Sequence, residues 1–161
     1  MAELTLVEAI NDCFHVELAR DENVMVMGED VGRAGGVFRA TAGLRDKFGP
    51  DRCVDTPLAE AGIMGTAVGL CMAGFRPVCE MQYDAFSYPS LDQLITHVGR
   101  YRWRTGGKME FPLTVRMPYG GGVRAPDSVY APYPRASKAG CSICTGTRDA
   151  SRVLSRRAAH W

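Results

Sequence analysis

The chain has 161 residues, which suffice for one domain with a hydrophobic core and are too few for two domains of ordinary size. Its 19 basic and 18 acidic side chains almost cancel, so the overall charge gives no reason to expect nucleic acid or an anionic membrane as a partner. No apolar stretch approaches the roughly 18 residues of a membrane span, and no secretory or transit signal is recognisable, so we expect a cytoplasmic protein.

The last part of the chain differs in charge from the rest. Residues 1–133 contain 13 basic and 17 acidic side chains, whereas residues 134–161 contain 6 basic ones and Asp149 as their single acid. Cys141 and Cys144 lie in this region with CxxC spacing. A zinc site would need a second ligand pair, and a redox site would need a strand-to-helix setting, so we assign the pair no function.

Strand patterns and helix patterns alternate along the chain with short connections. This order predicts an α/β domain with a mostly parallel sheet covered by helices. In chain order the patterns predict a helix at 4–20, a strand at 24–27, a helix at 38–48, a strand at 52–54, a helix at 60–74, a strand at 76–81, a helix at 90–103 and a strand at 113–117. Thr5 and Glu8 form a capping box at the first helix. The small residues at 62, 65, 69 and 73 favour a buried helix that packs closely against its neighbours.

Several candidate site residues follow the predicted strands, where ligands of open α/β sheets bind. Glu29 and Asp30 come directly after the first strand, and Glu60 begins the helix after the second. A carboxylate at a helix N-terminus is equally well explained as a capping group. Residues 81–89 combine an amide with three aromatic side chains, which could hold a flat heteroaromatic ring or could be part of the core. Both alternatives stay open on these residues alone.

Taken together, the segments resemble a known family. They resemble, in order and spacing, the beta subunit of pyruvate and branched-chain 2-oxo acid dehydrogenases over residues 3 to about 125. The segments that carry the resemblance include 28–32 (GEDVG), 35–44 (GGVFRATAGL), 55–63 (DTPLAEAGI), 74–78 (GFRPV), 101–107 (YRWRTGG) and 115–122 (VRMPYGGG). The resemblance implies a transketolase-like, pyrimidine-binding domain of a thiamine-diphosphate enzyme that oxidatively decarboxylates a 2-oxo acid.

The resemblance also implies roles for individual residues. Glu60 would hydrogen-bond the ring nitrogen of the aminopyrimidine and so assist deprotonation of the thiazolium carbon. Leu58 would pack near the pyrimidine and Phe86 would stack on it. Gln82 would line the site, and Glu29 would belong to its acidic lining.

The same resemblance implies a divided active site. In the family the alpha subunit holds the diphosphate and Mg²⁺ through a GDG-type motif, and this chain has no such motif. We therefore expect thiamine diphosphate to be shared with an alpha subunit and Mg²⁺ to be held by that partner. The family's beta subunits also self-associate and dock on an acyltransferase core, both through a C-terminal domain for which this chain has no counterpart.

The chain departs from the family pattern after its glycine triplet. Relatives continue with a His-Ser pair, whereas the histidines here lie at 15, 97 and 160, so the family's acyl-transfer histidine is missing. Residues 128–131 still resemble the family, and from Pro132 the likeness ends. Codons for residues 133–145, read one nucleotide later, can encode a sequence close to the family's, which indicates a frameshift. A naturally divergent tail is the alternative.

These observations predict a pyrimidine-binding domain at 1–131 and an aberrant, disordered tail at 132–161. We expect a truncated beta subunit that is inactive alone. The alternatives are half of another thiamine-dependent enzyme, such as a transketolase-like subunit, and a non-functional truncated gene product.

Overall fold

The computed structural model describes residues 4–119 and 140–145. Their core is a five-stranded sheet with the strand order β2-β1-β3-β4-β5, in which the first four strands run parallel and the last pairs antiparallel with its neighbour. The strands are β1 (Val24–Gly28), β2 (Cys53–Asp55), β3 (Arg76–Glu80), β4 (Thr114–Tyr119) and β5 (Gly140–Thr145). The predicted α/β class, with a mostly parallel sheet, is confirmed.

Helices cover both faces of this sheet. They are α1 (Leu6–Arg20), α2 (Leu44–Phe48), α3 (Glu60–Met72) and α4 (Gly99–Arg104), together with a 3₁₀ segment (Asp84–Ser90) and a π-helical segment (Gln93–Val98). One apolar cluster joins α1 and α2 to one face, through Phe14, Leu18, Val26 and Leu44. The other joins α3 to the opposite face, through Ile63, Met64, Cys79 and Val115. No helix in the described residues is long and apolar enough to cross a membrane.

The chain changes direction across the sheet between β1 and β3. β1 pairs with β2 on one side and with β3 on the other, and Gly28 aligns with both Asp55 and Glu80. Parallel strands require helical crossovers, and the crossover after β1 leads to β2 while the one after β3 leads to β4, on the other side. The carboxyl ends of these strands therefore border a crevice of the kind that binds ligands in doubly wound sheets.

The predicted strands are confirmed, and so is the first helix with its capping box of Thr5 and Glu8. The helix predicted at 38–48 is wrong over its first part, because it begins at Leu44. Arg39 and Gly43 have φ angles of 61° and 76°, which an α-helix cannot accommodate.

The helix predicted at 90–103 is interrupted by a change of helical type. Wider π turns at Gln93–Val98 place Leu94 and Val98 against the core and leave Ile95 55% exposed. An uninterrupted α-helix is therefore the wrong description of this segment, although its apolar residues do face the core in part.

The prediction that the third helix is buried holds for one face of α3. Its small residues Gly62, Gly69 and Ala73 are exposed, while Met64 and Ala67 on the opposite face are completely buried. Spacing of small residues shows that a neighbour could approach closely, but not that one does.

The predicted tail at 132–161 lies mostly outside the described residues, as do the glycine triplet and His160. Gly140–Thr145 form β5, in which Cys141 is opposite Pro118 and Cys144 is opposite Val115. The sequence pattern does not anticipate this strand, and the disordered tail at 132–161 stays a prediction. The division of the chain after residue 131 stays a prediction.

Gly28 offers a test of the close approach between β1 and β3. A Cβ atom at Gly28 would overlap the carbonyl oxygen of Glu80 and would lie 3.2 Å from Val31 Cγ1. The backbone of β3 cannot move aside as the end of a flexible side chain can. We therefore expect Gly28→Ala to lower the free energy of unfolding by about 2 kcal/mol or more. Urea unfolding measures this change.

Gly69→Ala is the matched control. Gly69 lies on the exposed face of α3, and a Cβ there would meet nothing within 4 Å. This substitution should stabilise the protein by roughly 0.5–1 kcal/mol, because alanine is the better helix former. Equal effects of the two substitutions would contradict the steric argument.

Candidate functional site

Three loops meet where the parallel strands end. Glu29 and Asp30 follow β1, residues 55–60 join β2 to α3, and Gln82 follows β3. The amide of Thr56 donates a hydrogen bond to the carbonyl of Gly28 (2.9 Å), which extends the pairing of β1 and β2 by one residue. The loops therefore start from fixed positions at one edge of the sheet.

Glu29 and Glu60 form a carboxylate pair in this crevice. Glu29 is 6% exposed, and burial raises the pKa of its carboxyl, with further upward contributions to the pKa from the charges of Glu60 and Asp30. Glu29 follows β1 and Glu60 begins α3 after β2, so both side chains lie at the same edge of the sheet. Ionising two nearby carboxylates together costs free energy, so Glu29 keeps its proton to a higher pH than an ordinary glutamate does.

The carboxylate of Glu60 accepts no hydrogen bond from the described residues. Glu60 is the first residue of α3 and is partly exposed, and the helix has no side-chain cap. Because Glu60 lies in the first turn, the positive end of the helix dipole stabilises its negative charge. Its carboxylate makes no capping hydrogen bond. Its oxygen atoms are therefore available to a ligand in the crevice.

Gln82 connects the loop after β3 with the loop after β1. Its side-chain nitrogen donates a long hydrogen bond to Oδ2 of Asp30 (3.4 Å). Asp30 has a φ angle of 58°, in the left-handed region that aspartate tolerates better than most residues. The structure thus links Gln82 to the same loop that carries Glu29.

Aromatic side chains flank the loops. Tyr83 lies edge to face between Phe38 and Phe86, with ring centroids 5.6 and 6.0 Å away. Such pairs contribute about 0.5–1.5 kcal/mol each beyond the area they bury. Phe86 is 37% exposed, so part of its ring is not covered by the described residues.

Tyr83 and Phe38 were not singled out as site residues. The aromatic segment 81–89 could have indicated Tyr83, but Phe38 is more than forty residues away in sequence, and no local pattern announces their contact. Leu58 is 77% exposed on the loop before Glu60, so its role beside a bound ring stays a prediction.

A separate groove of about 530 Å³ lies along α1, and Asn11, His15, Arg39 and Lys47 are among the residues that line it. It contains none of the five predicted site residues. The described residues also include no group of three or more side chains arranged to hold a metal ion. The crevice at the strand ends is therefore the candidate site, and its chemistry is that of carboxylates, an amide and aromatic rings.

The chain is similar to proteins of known name over most of its length. The 3-methyl-2-oxobutanoate dehydrogenase subunit beta of Mycobacterium tuberculosis is 56% identical over 122 residues, which are 76% of this chain and 35% of the relative. The pyruvate dehydrogenase E1 component subunit beta is 54% identical in Staphylococcus epidermidis and 53% in Bacillus subtilis, each over 127 residues, or 79% of this chain and 39% of the relative.

The chain thus spans about 35 to 39% of the length of these relatives. The resemblance to beta subunits of 2-oxo acid dehydrogenases, drawn from the motifs, is confirmed as a similarity. Residues 2–129 match the family described as transketolase, pyrimidine binding domain. Because this match covers most of the chain, the chain belongs to the family of transketolase pyrimidine-binding domains.

Proposed function

We propose that the chain is the pyrimidine-binding half of the beta subunit of a thiamine-diphosphate-dependent 2-oxo acid dehydrogenase. The substrate would be pyruvate or a branched-chain 2-oxo acid, as the names of the relatives suggest. The observation that carries the proposal is the carboxylate of Glu60, which accepts no hydrogen bond from the described residues and begins α3 at the edge of the sheet where the strand order reverses.

The crevice fits an aminopyrimidine ring. Glu60 can accept a hydrogen bond from a protonated ring nitrogen, and the uncovered face of Phe86 can stack on the ring. Gln82 supplies an amide at the same edge, and Leu58 would lose its exposure when a ring covers it. These side chains together suit a flat, basic heterocycle better than an anionic group.

Glu60 and Glu29 have different roles in the proposed mechanism. When bound, thiamine diphosphate would supply a carbon nucleophile for the 2-oxo group of the substrate. Glu60 holds a proton at the ring nitrogen, and its negative charge stabilises the cationic form of the ring. Glu29, whose pKa is raised by burial and by the charge of Glu60, stays protonated more readily than an ordinary glutamate.

The diphosphate and Mg²⁺ would be held by a partner alpha subunit. In support of such a partner, the relatives are named as beta subunits, which implies an alpha subunit. Exposed apolar side chains could contact such a partner, and they include Leu58, Tyr88, Leu91 and Ile95. Self-association of beta subunits and docking on an acyltransferase core are further parts of the proposal for proteins of full family length.

A cytoplasmic location completes the proposal. Cys53, Cys71 and Cys79 are buried and form no disulfide bond, as suits a reducing compartment. Burial raises the pKa of Cys53 to about 11 and that of Cys71 to about 12, so these thiols behave as core residues and not as nucleophiles.

Glu60→Gln tests the proposed proton contact. Residues 1–119 would replace the matching part of the Bacillus subtilis relative, and this chimera would be mixed with the alpha subunit of that enzyme. Exchange of the thiazolium proton should slow by about 10²–10⁴-fold, because glutamine keeps the size but not the charge. Glu17→Gln on the surface of α1 is the control and should exchange at the original rate. An unchanged rate in Glu60→Gln would remove the proposed role.

The divided site predicts how the isolated chain binds its cofactor. Calorimetric titration of the chain alone with thiamine diphosphate should show no increase in affinity on addition of Mg²⁺, because the metal-binding part would belong to the partner. Mg²⁺-dependent binding should appear when the chimera and the alpha subunit are combined. Tight Mg²⁺-dependent binding by the chain alone would disprove a divided site.

Glu29→Gln should stabilise the protein in a pH-dependent manner. The pKa of Glu29 in the folded state is raised above its ordinary value of 4.5, so ionisation in the fold is disfavoured. Below the unfolded pKa both states are protonated, and the substitution should change stability little. As the pH rises through the raised pKa, the original protein loses stability that the variant keeps. Urea unfolding from pH 4 to 8 measures this difference, with Glu22→Gln at an exposed position as the control.

A further inference from the structure

Asp55, the last residue of β2, binds the end of the loop that follows β1. Its Oδ1 accepts a hydrogen bond from the amide of Gly32 (2.5 Å), and its Oδ2 accepts one from the amide of Arg33 (3.2 Å). Nη1 of Arg45 lies 3.4 Å from the same Oδ2. A carboxylate that accepts two successive backbone amides fixes the direction of the loop at that point.

Gly32 fits closely against this carboxylate. A Cβ atom at Gly32 would lie 2.7 Å from Oδ2 and 2.9 Å from Oδ1 of Asp55, which is too close for an ordinary contact. Its backbone φ does not lie in the left-handed region, so the requirement for glycine here is one of space alone. The short distance to Asp55 is thus a feature that a single methyl group can disturb.

The loop from Glu29 to Gly32 is held at both ends by neighbouring residues of one segment. Thr56 donates to the carbonyl of Gly28 at the beginning of the loop, and Asp55 accepts from Gly32 at its end. The same segment continues through Pro57, whose φ is restricted by its ring, to Glu60. Residues 55–60 therefore set where Glu29 lies and also carry its partner.

We infer that Asp55 is a positioning residue that holds Glu29 beside Glu60 by binding the Gly32 and Arg33 amides. The inference rests on the proposed function of the carboxylate pair. The charged groups that face Glu29 are Glu60, at the start of α3, and Asp30 on its own loop. Asp55 acts on this pair through the backbone of the loop and does not touch the proposed cofactor.

Other contacts keep the loop folded when Asp55 is replaced. The hydroxyl of Thr41 donates to the carbonyl of Val31 (2.7 Å), and the amide of Gly36 donates to the carbonyl of Asp30 (2.8 Å). Val31 itself is completely buried. Loss of the Asp55 contacts should therefore admit water to Glu29 without unfolding the domain.

The test is a carboxyl-carbon NMR titration of Glu29 in the 161-residue chain, with Glu29→Gln identifying the signal. In Asp55→Ala the pKa of Glu29 should fall toward the ordinary value of 4.5, since the carboxyl becomes better hydrated and moves away from Glu60. Asp55→Asn keeps an oxygen acceptor for the Gly32 amide and should restore much of the original titration. Arg45→Gln is the control, because it leaves both amide contacts in place.

Gly32→Ala separates positioning from the loss of a charge. It keeps the Asp55 carboxylate but displaces it from the two amides, so the pKa of Glu29 should fall in this variant too. Wild-type titration of Glu29 in folded Gly32→Ala would overturn the inference, and so would an equal fall in Asp55→Asn and Asp55→Ala. If Asp55→Ala does not fold, Gly32→Ala and Asp55→Asn decide. No cofactor is present in this experiment, so its result is independent of the proton-exchange test of Glu60.

Discussion

The carbonyl oxygen of Glu80 lies so close to Gly28 that no side chain fits between β1 and β3 where these strands end. This contact brings together two strands whose crossovers leave on opposite sides of the sheet. Everything at the candidate site starts from it. Glu29 follows Gly28 directly, and Gln82 follows Glu80 by two residues, so a wider strand separation would pull the carboxylate and the amide apart.

A buried ion pair holds the next strand in register. Glu80 and Arg116 are partners across β3 and β4, are both nearly inaccessible, and form a hydrogen bond. Burial raises the pKa of Glu80 although the charge of Arg116 acts against this. Oε2 of Glu80 and Nε of Arg116 have no hydrogen-bond partner among the described residues. Such a pair adds little to stability, but it disfavours any other alignment of the two strands because a shifted register would leave both charges buried and unpaired.

Short-range patterns were enough to predict the strands and the first helix. Apolar runs bounded by glycine and proline predicted β1 to β4, and the capping box of Thr5 and Glu8 predicted the start of α1. The segment 38–43 was misread because side-chain periodicity contains no information on the positive φ angles of Arg39 and Gly43. β5 was missed because its pairing depends on β4 and not on its own pattern.

The site was predicted as residues but not as a geometry. Strand ends indicated Glu29 and Glu60, and the resemblance to a known family supplied their roles. The contacts of Asp55 with Gly32 and of Tyr83 with Phe38 join distant parts of the sequence, so no local pattern predicts them. Sequence reasoning finds chemical groups near strand ends, while the contacts that hold those groups depend on how the loops pack.

The composition of α3 has a consequence for local unfolding. Its 13 residues include Gly62, Gly65 and Gly69, each of which costs about 1 kcal/mol of helix stability relative to alanine. Burial of its apolar face against the sheet therefore stabilises this helix more than the helix propensity of its residues does. Glu60 is the first residue of this helix, and the equilibrium between closed and open states favours opening most at helix ends. Any ligand or protein surface that covers this end would shift that equilibrium and order the carboxylate at the same time.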